Sequence, residues 1–143
     1  MTKIVQYPNE ILKKVAESVD ITNKKEVAYL TKELNENYAL LSNNKVGLAC
    51  PQIGISKRAV IVLGKVIFNS EFRPANQIEI AQEGCFSVEN ASVFQSVARP
   101  KYGWASWIDG DTLEKKEEKL NGFPARVFQH ELDHLNGVLC IEK

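Results

Sequence analysis

The chain has 143 residues, 44% hydrophobic and 25% charged, which suits one catalytic-sized domain spanning 1–143 and leaves little room for a second. Eighteen basic residues cancel eighteen acidic ones, so no global field draws the protein to nucleic acid or an anionic membrane. No apolar run approaches the roughly 20 residues of a membrane-spanning helix, and the opening MTKIVQYPNE lacks the apolar core of a signal peptide; a cytoplasmic address is expected.

YPNEILKKVAESV (7–19) opens with a turn-like Tyr-Pro-Asn and continues as a short, partly amphipathic piece. A helix follows: Asn23 and Glu26 form a capping pair, and Val27, Leu30, Leu34, Tyr38 and Leu41 recur at helical spacing. SNNK (42–45) ends it. The texture then changes to strands. RAVIVL (58–63) and KVIFN (65–69) are β-branched runs parted by a glycine, and QIEI (77–80), ASVFQSV (91–97) and YGWASWI (102–108) alternate or are rich in aromatic and β-branched residues. Asp109-Gly110 reads as a tight turn. TLEKKEEKL (112–120) fits a solvated helix by charge, but its place after a hairpin turn favours an exposed edge strand, where lysines discourage aggregation. NGFPARVFQHELDHLNG (121–137) reads as a closing helix, with Asn121 as cap, Pro124 in the first turn and Gly137 at the end. The predicted class is α+β: small antiparallel sheets, an N-terminal helix and a C-terminal helix.

Both histidines of the chain sit in QHELDHLNG (129–137). On a helix, His130 and His134 share one face a turn apart and aim at one point. Neutral imidazole is the commonest metal ligand. Glu131 lies beside that point without having to be a ligand, so the stretch is an H-E-x-x-H arrangement with a proton-handling glutamate. Catalytic metals usually keep three protein ligands and an open position. The third ligand is then a carboxylate or one of the cysteines Cys50, Cys85 and Cys140, whose odd, sparse set favours reduced thiols over a disulfide scaffold. Cys85 lies in EGCFS (83–87), where glycine permits tight geometry and neighbouring amides can face an oxyanion. Val127, Phe128, Leu132 and Leu135 read as packing residues.

Three segments resemble, in order, the motifs of the peptide deformylases: KVGLACPQ (45–52), EGCFS (83–87) and QHELDHLNG (129–137). Supporting similarity covers YPNEILKKVAESV, ARVFQHE and Arg99. The resemblance implies a hydrolase that removes the formyl group from the N-terminal formylmethionine of new polypeptides and releases formate. It implies Cys85, His130 and His134 as metal ligands, with Fe2+ as the usual ion and Zn2+, Ni2+ or Co2+ able to substitute. A metal-activated water would be the nucleophile and Glu131 the general base, then acid. Gln52 through its side-chain amide and Phe86 through its backbone N–H would stabilise the oxyanion. Val46, Gly47, Phe86 and Arg99 would bind the extended peptide. Implied partners are formylmethionyl peptides and nascent chains, with at most weak, transient ribosome contact. A monomer is expected, with no nucleic acid or membrane bound.

The chain departs from the motifs at Lys45 (glycine in the family), Cys50 (alanine) and Phe86 (leucine). Lys45 is a solvated lysine or meets a substrate carboxylate. Cys50 is a packing residue or forms an oxidised pair with Cys85. Phe86 would reshape the methionine pocket but keep its backbone role. The short ending VLCIEK is similar to forms encoded by some bacteriophages, which would place the protein in a bacterial or host cytosol. Two other readings stand beside this one: another H-E-x-x-H amidase or peptidase, and a non-catalytic relative that binds metal or formylated peptides.

Overall fold

The computed structural model describes residues 4–41, 45–87 and 94–139. Residues 42–44 of the helix stop expected at 42–45, the beginning of the strand expected at 91–97, Cys140 and the last residues lie outside them.

Helix α1 spans Lys24–Ala39, and the Asn23 side chain accepts the Glu26 N–H as expected. Seven strands follow: β1 Gly47–Ala49, β2 Ala59–Val62, β3 Lys65–Pro74, β4 Ile78–Gly84, β5 Phe94–Pro100, β6 Tyr102–Asp109 and β7 Lys115–Asn121. Helix α2, Phe123–Leu135, closes the described chain. Short 3-10 turns occupy Glu10–Lys13 and Cys50–Ile53. Among the described residues, no helix is long and apolar enough to cross a membrane.

Five strands form an antiparallel sheet in the order β1-β2-β3-β6-β7, while β4 and β5 form a separate ribbon. The helices cover opposite faces of the sheet. Leu30 and Leu34 of α1 pack on Leu48, Ala59, Ile61 and Phe68. Phe128 and Leu135 of α2 pack on Ala49, Val60, Ile67 and Ala105. Alternate residues of β1, β2 and β3 thus serve alternate cores, which is why the AVIV run is apolar throughout. A third cluster, Leu12, Cys85, Val97 and Leu139, lies under the ribbon.

The structure corrects three local expectations. Asn121 ends β7 and does not cap α2; Gly122, at φ +70, occupies that position. Asp109-Gly110 is no tight turn. Residues 110–114 form a longer loop that Asp109 organises, its carboxylate accepting the N–H groups of Asp111 and Thr112. Strand β3 runs on past Asn69, which takes a left-handed conformation (φ +52) at a bulge and exchanges two hydrogen bonds with the Val19 backbone. The charged segment is an edge strand, β7, as its lysines suggested.

Candidate active site

Helix α2 brings His130 and His134 one turn apart, with their Nε2 atoms 3.3 Å from each other. Cys85 follows the last residue of β4, and its Sγ lies 3.3 Å from His134 Nε2. The three ligand atoms all fall within 4.8 Å of one another. A tetrahedral centre with bonds of ~2.0–2.3 Å needs its ligand atoms roughly 3.3–3.8 Å apart, and the two 3.3 Å contacts match that spacing. The charge of the pocket fits a cation too. Burial opposes protonation of His130, yet the Cys85 sulfur and the carboxylates of Glu83 and Glu131 raise its pKa well above the ordinary value. A cysteine sulfur, two imidazoles and an adjacent carboxylate with an unpartnered oxygen thus form a coherent metal site.

Glu83 organises the back of this site. His130 Nδ1 lies 2.8 Å from Glu83 Oε1, which leaves Nε2 directed at the ligand cluster. Arg99 meets both oxygens of Glu83, and Arg126 reaches Oε2 at 2.6 Å. Burial works against the Glu83 charge, but the hydrogen bonds from Arg99 and His130 outweigh it and hold the carboxyl well below its usual range. Arg99 also pairs with Asp133 at 2.7 Å and is 2% exposed. It does not line the cavity in front of the site, contrary to the expected substrate contact. Arg126 additionally donates to the carbonyls of Val97 and Glu79, tying α2 to both strands of the ribbon.

Gln52 is buried in the turn after β1. Its Oε1 accepts the Ala49 N–H, which orients Nε2 toward Cys85 Sγ and Ser87 Oγ, each 3.3 Å away. Residues near the beginning of the described chain strap this region. Val5 N–H donates to Gln52 O, Tyr7 N–H to Ser87 O, and Gln6 Nε2 to Phe86 O.

Glu131 faces β1. Its Oε1 is buried without a hydrogen-bond partner, and a Cβ on Gly47 would fall 2.5 Å from Oε2. Glycine at 47 therefore makes room for the carboxylate. Burial pushes the Glu131 carboxyl up to about 7, against the opposing charges of His130 and Arg99. A cavity of ≈ 180 Å³ opens in front of it. Gln52, Glu83 and Arg126 form its buried end, Phe86 and Val127 flank it, and the exposed Val46, Phe94 and Phe123 frame its mouth.

Two of the motif departures, Lys45 and Cys50, resolve as follows. Lys45 Nζ sits 4.8 Å from the Tyr38 ring centroid, a cation–π contact. Cys50 packs against α1 and the sheet, in a different cluster from Cys85, and burial pushes its thiol up to about 12. It is a packing residue. The roles of Glu83, Arg126, Asp133, Phe94 and Phe123 do not emerge from the sequence. Glu83 and Asp133 lie inside the motif segments and Arg126 in the supporting stretch ARVFQHE, but nothing in their spacing names their partners.

Fold and site define a metal-dependent hydrolase with a Cys-His-His centre. The profile of the polypeptide deformylase family matches residues 1–143. Over 98% of this chain and 85% of its own length, the peptide deformylase of Aquifex aeolicus is 36% identical. That of Thermotoga neapolitana is 43% identical over 68% of this chain, which spans 61% of that protein. The actinonin-bound class I type b peptide deformylase of Acinetobacter baumannii superposes with a TM-score of 0.88 at 31% identity, covering 99% of this chain and 97% of its own. The same protein is also known with Met-Ala-Ser bound. The chain belongs to the polypeptide deformylase family.

Proposed function

We propose that this chain removes the formyl group from the N-terminal formylmethionine of newly made polypeptides, releasing formate, with ferrous iron held by Cys85, His130 and His134. The observation that carries this reading is the unpartnered, buried Oε1 of Glu131 beside the converging ligands. The metal, when bound, lowers the pKa of a water toward ~7 and so supplies a nucleophile strong enough for an amide carbonyl.

The chain's own residues then divide the work. Glu131, its pKa raised to about 7 by burial, accepts a proton at Oε1 and returns it to the departing amine. The Nε2 of Gln52 is held by the Ala49 contact and donates to the developing oxyanion together with the Phe86 N–H. Gly47, the first residue of the edge strand, and Val46 before it offer backbone groups to the extended peptide. Arg99 serves as a positioning residue, since its guanidinium is taken up by Glu83 and Asp133. A further part of the reading is a single monomeric domain in the cytoplasm, with weak and transient ribosome contact.

Formate release from formyl-Met-Ala-Ser tests the activity. Anaerobically prepared, iron-loaded protein is expected to turn over. Chelation should abolish release, and iron should restore it. A chelated protein that still releases formate at the original rate would refute the metal's role.

A further inference from the structure

The two faces of the β4–β5 ribbon differ sharply. Inward, Glu83, Val97 and Arg99 are buried, and Arg126 ties this side to α2. Outward, the cross-strand pairs are Ile78 with Pro100, Ile80 with Ala98, Gln82 with Ser96, and Gly84 with Phe94. An antiparallel pair with one solvated face ordinarily places polar residues there. Here Ile78, Ile80 and Phe94 are 58%, 70% and 55% exposed. A polar pair, Gln82 donating to Ser96 Oγ at 2.9 Å, separates Phe94 from the isoleucines. Large apolar side chains exposed on both sides of that pair, on one ribbon face, mark a binding face.

One end of this face is already part of the site. Gln82, Gly84 and Phe94 form a wall of the cavity that holds Gly47, His130 and Glu131. The face thus runs from Phe94 at the cavity mouth, across the Gln82–Ser96 pair, to Ile80 and Ile78, about 20 Å at ~3.4 Å per residue. On the deformylase reading the formylmethionine enters the cavity, and the chain that follows it leaves through the mouth that Val46, Phe94 and Phe123 frame.

We propose that the outer ribbon face is a docking track for the downstream part of the polypeptide substrate, and that it favours apolar side chains several residues after the formylmethionine. This rests on the deformylase reading. Continuity with the cavity wall selects the substrate as occupant, and the ~20 Å length accommodates about six extended residues.

The test compares three substrates with iron-loaded protein: formyl-Met-Ala-Ser, and two nonapeptides beginning with those residues, one with leucine at positions 5 and 7 and one with serine there. The leucine peptide is expected to show a kcat/KM roughly fivefold higher, carried by KM, as partial burial of apolar side chains implies. The double variant Ile78→Ser, Ile80→Ser should erase that difference and leave the tripeptide rate unchanged. Equal rates for both nonapeptides, or a difference that survives in the variant, would overturn the track. An inactive wild type on the tripeptide would instead overturn the deformylase reading beneath it. Sedimentation that finds a dimer dissolved by the same substitutions would assign the face to a second copy of the chain and reject the substrate as its occupant.

Discussion

At the scale of single residues, Glu83 carries the site. One carboxylate pairs with two buried arginines and orients His130. Glu83→Gln would leave the buried Arg126 with a neutral partner and Arg99 with Asp133 alone, a change that costs roughly 3–5 kcal/mol. At neutral pH the melting temperature should fall by roughly 10 °C or more. The sign of the pH dependence follows from the depressed pKa. A carboxylate stabilised in the fold contributes fully above its unfolded pKa, ~4.3, and loses that contribution on acidification. Calorimetry of both proteins should therefore show the gap narrowing below about pH 4. A gap that is constant from pH 7 to 3 would contradict the network. None of this was legible in EGCFS. The motif marks Glu83, but its partners Arg99 and Arg126 stand 16 and 43 residues away, and only the fold brings them together. The ligands were legible because His130 and His134 share a helix face by spacing alone, and Cys85 entered through the motif resemblance.

At the scale of elements, α2 is the platform, and its far end is fixed to the first segment. Ala16 N–H donates to Leu135 O, and Gly137, at φ +78, packs directly on the Lys13 carbonyl. Gly137→Ala combines a disfavoured backbone with a collision. Gly54, at φ +83, has nothing within 4 Å of the place a Cβ would take, so Gly54→Ala carries the backbone cost alone, about 1 kcal/mol. Urea unfolding should show Gly137→Ala to be the more destabilised of the two, and equal losses would mean the Lys13 contact is easily relaxed. Helix α1 was readable because one apolar face and one cap are local signals. Strand β1 was not, since three residues buried on both sides show no alternation. The end of β3 was misread because Asn69 looks like a stop, whereas a bulge lets the strand pass through it.

At the scale of the whole molecule, a sheet clasped between two helices leaves its edge strand β1 facing the free end of the ribbon, with α2 beneath both. The cavity lined by Gly47, Gln52, His130 and Glu131 lies in that gap. The charge balance of the chain is neutral, so recognition depends on this local cavity and not on a long-range field. Glu131 moves the proton in the proposed reaction while the three ligands hold the metal, and this division of labour is the centre of the account. The most direct test is Glu131→Gln, assayed for formate release from formyl-Met-Ala-Ser alongside metal content. The expected result is unchanged metal stoichiometry and a loss of turnover of at least ~10². A metal-loaded variant that turns over at the wild-type rate would show that the proton travels by another group.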